Sequence, residues 1–248
     1  MSWVTGVGLT SFGRHEGQSS LDLMTTAAAA ALADSGLARK DIDGLVCGYA
    51  TTMPHIMLST LFAEHFGLQP HYAHAVQLGR AAFIISREPV NAHSLRIRGC
   101  SQAHTHQHVS AALDLTRFGA RASMERAMAE AGIGIGDVGY AAVYDSFTIT
   151  LAILLEEIGL CPRGQSGRVA ASGHFSTDGA VPLNTHGGLL SYGHCGVAGA
   201  LAHLAEAHLQ LTRRAGARQI PGEPAIAMLH GDGGIMSSHV SMIMERSR

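Results

Sequence analysis

The chain has 248 residues, enough to bury a sizeable core in one large domain or two small ones. Hydrophobic residues make up 46% and charged residues 15%, which excludes a disordered chain, and a net charge of -2 leaves nothing to recruit nucleic acid. No apolar run reaches the ~18 residues of a membrane helix, and no basic-then-apolar leader opens the sequence, so a soluble cytoplasmic protein off the membrane is expected.

Short apolar runs alternate with helical patterns along the chain. WVTGVGL (3–9) reads as a strand, and SLDLMTTAAAAALADSGL (20–37) as a helix with Ser20 as N-cap and Gly36 as its stop. DGLVCGYA (43–50) is a strand, IMLSTLFAEHFGL (56–68) a helix ending at Gly67, and HYAHAVQ (71–77) a strand. RAAFIISR (80–87) follows directly as another strand. After EPVNAH the rhythm restarts with strand LRIRGCSQAH (95–104), a helix around 121–131, strand GYAAVYDSF (139–147) and helix TITLAILLEEIGL (148–160). Strand VPLNTH (181–186), a long helix from about 196 to 214 and the hairpin-like stretch 225–246 complete the chain. Strands alternating with helices predict an α/β fold whose parallel or mixed sheet is covered on both faces.

The restart is a repeat. ALADSGLARKDIDGLVCGYA (31–50) lies over AMAEAGIGIGDVGYAAVYDS (127–146) at an offset of 96 residues. Ala31/Ala127, Ala33/Ala129, Gly36/Gly132 and Asp41/Asp137 are identical, and Val4-Thr5-Gly6 of the preceding strand corresponds to Ile97-Arg98-Gly99. Two copies of one strand–helix–strand unit are the mark of a duplicated fold. The copies are unequal, because the first passes from HYAHAVQ almost straight into its last strand.

The chemistry concentrates in NTHGGLLSYGHCG (184–196). A glycine-rich turn feeding a helix N-terminus presents free backbone N–H groups, which suits an anion or an oxyanion; Asn184, Gly187, Gly188 and Gly193 are the binding candidates. His186 and His194 flank the turn and are expected to converge as donors or as a base, with Tyr192 as a phenolic acid or base. A metal site, or a nucleophilic Cys195 beside His194, remain open readings of the same stretch. In VYDSFT (143–148), Asp145 and Ser146 read as helix caps, or Tyr144, Asp145 and Ser146 as residues orienting a catalytic histidine or water. LHGDGG (229–234) is a turn at strand ends, from which His230, Asp232 and Gly233 can face the same pocket. His104, His106 and His108 in HTHQH would share one strand face, but no acidic or cysteine companion stands near, and no metal is expected. GIGIGDVG (132–139) follows a helix and leads into a strand, the wrong order for a dinucleotide fingerprint. The four cysteines, Cys47, Cys100, Cys161 and Cys195, form no CxxC pair and indicate no disulfide framework.

The duplicated unit, NTHGG…GHCG and the late HGDGG resemble the thiolase superfamily, in particular the sterol-carrier-protein-type thiolases and the thiolase-like lyases that cleave steroid side chains. The resemblance is firm from about 93 to 246 and looser over 1–78. It implies duplicated five-stranded mixed sheets with helices on both faces, as a shortened N-terminal half (1–90) and a C-terminal half (91–248). It further implies that His186 and His194 act on a thioester, and that YDSF stands where thiolases hold an oxyanion-hole water. Coenzyme A is then part of the substrate, with no cofactor held. A homodimer with HYAHAVQ at its edge is implied, as is a small zinc-ribbon/OB-fold partner protein.

Two departures matter. Thiolases carry an acyl-accepting cysteine on a helix after the strand matching HYAHAVQ, whereas this chain reads LGRAAFIIS (78–86), with neither cysteine, helix nor lid. Their C-terminal acid/base cysteine is replaced by the His230 turn. The steroid-type lyases do without both cysteines and use tyrosine and histidine, so retro-aldol cleavage of a 3-hydroxyacyl-CoA is expected ahead of acetyl transfer. The rival expectation is a non-catalytic thiolase-like subunit that dimerises or docks a partner.

Overall fold

A computed structural model describes residues 1–11, 13–48, 55, 57–76, 81–194 and 199–246. Tyr49, Ala50, Gln77 and Arg80 from the ends of expected strands, and Cys195 with Gly196 at the expected helix start, lie outside the described residues.

Six strands form one sheet. β1 (Ser2–Leu9) pairs antiparallel with β4 (Ala81–Ser86) on one side and with β5 (Leu95–His104) on the other. β5 continues antiparallel to β8 (Ser238–Arg246), and β8 to β7 (Ile226–Gly233), while β6 (Tyr140–Val143) lies parallel to β7 at the far edge. Beyond β6, the expected strand 181–186 is reduced to a single parallel bridge between Ala141 and Leu183. β2 (Gly44–Gly48) and β3 (Tyr72–Val76) form a separate parallel pair. The short β1–β5 contact, from Ser2↔Ile97 to Val4↔Leu95, fuses the two halves into one sheet.

Helices cover both faces, as the alternating pattern requires. α3 (Ala120–Ala131) and α4 (Thr148–Glu157) pack Met124 and Leu154, with Phe118 just before α3, on one face against Ile243 and Met228. α7 (Gly199–Leu211) covers the other through Ala207 and Leu211, against Tyr140, Leu229 and Met244. α1 (Ser20–Ser35) and α2 (Leu58–Phe66) enclose a third cluster of Leu32, Leu58, Phe62 and Phe66 beside β2. Two short helices, α5 (Ser166–Ala171) and α6 (Gly188–Ser191), lie in the long connection after α4. Several expected boundaries move. α1 is capped by Ser19 rather than Ser20, in a capping box with Asp22. α4 has Phe147 at its N-cap, so Asp145 and Ser146 are not its caps.

The duplication extends to single atoms. α1 and α3 end in left-handed Gly36 and Gly132, and each leads into a 3₁₀ turn, Arg39–Asp41 and Ile135–Asp137. In those turns the Asp41 and Asp137 carboxylates accept from the amides of Ala38 and Gly134 at 2.9 and 2.8 Å. β1 and β5 carry matching register shifts, before Gly6 opposite Ile84 and before Gly99 opposite Ile243. A Cβ at Gly6 would strike the Ala31 carbonyl oxygen, and one at Gly99 the Ala127 carbonyl oxygen, so both strands use glycine to admit the same helical turn. Between the halves, Arg214 forms an ion pair with Asp34, whose Oδ2 also accepts the Val7 amide at 2.9 Å.

Gly99→Ala is expected to cost about 1–3 kcal/mol, because a rigid carbonyl rather than a flexible side chain blocks the methyl. Urea unfolding measures it, and an unchanged midpoint would mean that α3 does not sit on β5 in this way.

Candidate active site

The site grows from the C-terminal end of β6. Beyond Val143 the strand direction persists for one residue, since the Tyr144 amide donates to the His230 carbonyl at 2.9 Å. Asn184, in a left-handed conformation, brackets Val143: its Oδ1 accepts the amide at 2.9 Å and its Nδ2 donates to the carbonyl at 2.7 Å. Thus Asn184 fastens the following turn to the sheet. Thr185 fastens it to α7, through its hydroxyl on Glu206 at 2.7 Å and the Gln210 amide at 2.9 Å; Arg218 pairs with the other Glu206 oxygen at 2.9 Å.

The turn is built around Asp145. Its Oδ1 accepts the Leu189 amide at 2.7 Å and lies 3.4 Å from His203 Nε2. Gly188 is left-handed, and a Cβ there would overlap the Asp145 carboxylate. The expected backbone cradle therefore holds the protein's own carboxylate at its Leu189 amide, while the Gly187 amide is spent on the Asn184 carbonyl at 2.8 Å.

Around this carboxylate the structure gathers two ring clusters. Buried His186 stands edge-on to His203 and to Tyr192, with ring centroids 5.0 and 5.3 Å away. Gly193, with φ of 135°, lets the chain turn between Tyr192 and His194. His194 is exposed, and its Nε2 shares a 2.9 Å hydrogen bond with the Tyr144 hydroxyl. Burial, reinforced by His203, pushes the His186 pKa down to about 4, so this imidazole is neutral at physiological pH. Neither His186 ring nitrogen has a hydrogen-bond partner among the described residues.

His230 and Asp232 form a second group. His230 Nδ1 meets Ser241 at 2.9 Å and its Nε2 meets His239 at 3.2 Å, so both ring nitrogens engage β8 and neither engages the His186 or His194 cluster. Burial and then His239 hold its pKa down to about 3. Asp232, pushed up to about 7 by burial, accepts amides of its own turn, including that of Gly233. His104 ends β5, so His106 and His108 leave the strand: His106 packs on Phe118 and His108 caps a 3₁₀ turn. Among the described residues no group of three His, Cys, Asp or Glu side chains could hold a metal. Burial raises Cys47 and Cys161 to about 11, and burial with the Glu130 carboxylate raises Cys100, so none of these is poised as a thiolate. The sequence reading missed His203. Its signal was a face: 203, 206 and 210 lie at i, i+3 and i+7 of an otherwise alanine- and leucine-rich helix.

The sequence pattern of the thiolase C-terminal domain-like family matches residues 101–246. An acetyl-CoA acetyltransferase of Methanothermobacter thermautotrophicus is 35% identical over 131 residues, 51% of this chain and 34% of that protein. A steroid side-chain-cleaving aldolase of Thermomonospora curvata is 42% identical over 62 residues, 25% of this chain and 16% of that protein. The matches thus span about a third or less of these relatives. The solved Ltp2-ChsH2(DUF35) aldolase superposes with a TM-score of 0.83 at 17% identity, over 100% of this chain and 98% of that one, a likeness of fold.

The buried rings set an acid limit on the protein. His186, His208 and His230 are held down to about 4, 4 and 3, chiefly by burial, against 6.5 in the unfolded chain. Depressed histidine pKa values give stability that is present above pH 6.5 and lost as pH falls toward the folded values. Each is worth about 1.4 kcal/mol per pH unit. Asp232, raised, opposes them by one proton over much of that window. Urea midpoints should therefore fall from pH 6.5 to 4.5 with a net slope near two protons, and a flat profile would refute buried neutral rings.

Proposed function

Because the chain belongs to the thiolase C-terminal domain-like family, we propose that it acts on an acyl-CoA thioester and breaks or makes the carbon–carbon bond beside it. Retro-aldol cleavage of a 3-hydroxyacyl-CoA is the preferred direction. The observation that carries this reading is the 2.9 Å Tyr144–His194 pair at the exposed rim, two groups able to pass one proton between them. Support comes also from the cysteines: the three among the described residues have raised pKa values, which disfavours a covalent acyl-enzyme on them.

In this reaction the Tyr144–His194 pair takes the proton of the β-hydroxyl. The electron pair of that O–H bond forms the carbonyl, the Cα–Cβ bond breaks, and an aldehyde or ketone departs. The bonding pair passes to the thioester as an enolate, toward which neutral His186 offers a ring N–H. Tyr192, packed on His186, or the same Tyr144–His194 pair returns a proton to Cα and releases the shortened acyl-CoA. Asp145 and His203 hold the turn that carries His186. Coenzyme A enters as part of the substrate. We place the protein in the cytoplasm as a homodimer with a small zinc-ribbon/OB-fold partner; the likeness of fold to the Ltp2-ChsH2(DUF35) aldolase supports the presence of a partner. A second reading, a thiolase-like subunit that docks a partner without catalysis, is favoured by the lack of a β7 counterpart among the described residues of the first half.

Purified protein given a 3-hydroxyacyl-CoA is expected to release a carbonyl product, and Tyr144→Phe to lower the rate by about 10²–10⁴-fold with little change in stability. Thiolysis of acetoacetyl-CoA by added CoA, lost in His186→Ala, would replace this reading with acyl transfer. Silence on both substrates, with and without a partner, would leave the docking subunit.

A further inference from the structure

The two halves correspond strand by strand except at two places, one of them β3, whose equivalent beyond β6 is only the bridge at Leu183. β1 matches β5, α1 matches α3, β2 matches β6 and β4 matches β8. β7, which lies between β6 and β8, has no counterpart among the described residues. Where that counterpart would lie is a groove of about 440 Å³, walled by β2 on one side and β4 on the other. α1 and α2 contribute Leu32, Phe62 and Phe66 to it.

The match holds residue by residue. In the C-terminal half Met228 sits between Ala141 of β6 and Ile243 of β8. The equivalent positions are Leu45 and Ile84, and both line the groove. One residue on, Leu229 sits between Ala142 and Met242, whose equivalents Val46 and Phe83 line it as well. Each wall is also a strand edge. β2 pairs with β3 and β4 with β1, so the edges toward the groove offer backbone N–H and C=O groups without a strand partner among the described residues. Val46 and Ile85 on these walls are 56% and 53% exposed, an unusual position for large apolar side chains in a sheet.

We propose that this groove receives one extended strand of a partner polypeptide, running parallel to β2 and antiparallel to β4. The chain's own connection cannot supply it, since β3 and β4 are joined by only residues 77–80, a reach of about 14 Å. In the other half, α7 and β7 both lie between Leu183 and β8. A second copy would have to release a paired strand to donate it. Two facing backbone edges select a peptide over a lipid, because the ladder needs a donor and an acceptor at each step. β7 indicates the side chains required. Met228 points into the cluster under α3 and α4, and Leu229 into the one under α7. The incoming strand therefore carries large apolar residues at successive positions, one meeting Leu32, Phe62 and Phe66 and the next meeting Leu201 of α7. The inference stands whether or not the protein cleaves an acyl-CoA.

The probe is a fluorescent peptide of residues 225–232, AIAMLHGD, which already fills the equivalent slot. It should bind the full chain saturably and slow amide hydrogen exchange at least tenfold in 45–47 and 82–85. The same peptide carrying Met228→Pro should not bind. Val46→Asp, at an exposed position and so expected to keep the thermal midpoint, should weaken binding at least tenfold. Absent saturable binding, equal binding of the proline peptide, or protection confined elsewhere overturns the proposal. So does sedimentation showing a dimer whose amides in 45–47 and 82–85 are protected before peptide is added, which would make the occupant a second copy.

Discussion

Burying a carboxylate is costly unless donors meet it, and Asp145, almost wholly buried, is met by the Leu189 amide and faces His203. Much of the site follows from this. The amide that reaches the carboxylate comes from the first turn of α6, so the chain before it must pass close to Asp145, which only glycine permits at position 188. That close passage leaves His186 inside the protein beside His203. Asp145 also directly follows Tyr144, so the residue that secures the turn fixes the backbone from which the Tyr144 phenol reaches His194. One buried charge thus ties the end of β6, the glycine turn and α7 into a single unit.

α7 is the other half of that unit. It is buried on nearly every side, yet carries His203, Glu206, His208 and Gln210. Burial of so many polar groups is tolerable because three of them share a face turned to the 185–186 segment, and because Arg218 compensates Glu206. His208 lies off that face and accepts from Arg214, which also pairs with Asp34 of the N-terminal half. The helix that positions the site is therefore also a bond between the halves.

The duplicated fold was legible in the sequence because its signals are local: left-handed glycines and the 96-residue repeat lie in the chain as they lie in space. His186, Tyr192 and His194 were legible through the glycines between them. What escaped were tertiary choices. Asp145 reads either as a helix cap or as a residue orienting a histidine, and only the folded chain shows it beside His203 and reaching 44 residues forward to Leu189. His230 reads as part of a pocket-facing turn, but it lies inside β7, whose pairing with β8 places Ser241 and His239 against its ring. His203 hid in an alanine-rich helix because one histidine there carries no meaning until its face is known. VPLNTH reads as a strand from its apolar start, yet Asn184 takes a left-handed turn and ends the pairing at one bridge.

The asymmetry between the halves bears on function through geometry. Tyr144, Asp145, His186, Tyr192, His194 and His203 all belong to the C-terminal half, so the lack of a β7 counterpart among the described residues of the first half removes none of them. Yet the two regions are not independent. Leu201 lines the groove and lies two residues before His203 on α7. A strand seated in the groove would pack against the same helix that holds His203 beside Asp145 and His186. Because packed interiors transmit displacement rather than absorb it, a strand pressed against Leu201 would be felt along the helix that carries His203. The groove of one half, where the described residues hold no counterpart to β7, and the ring cluster of the other are thus joined by one helix. That link gives a partner strand a physical route to the site without contributing any residue to it.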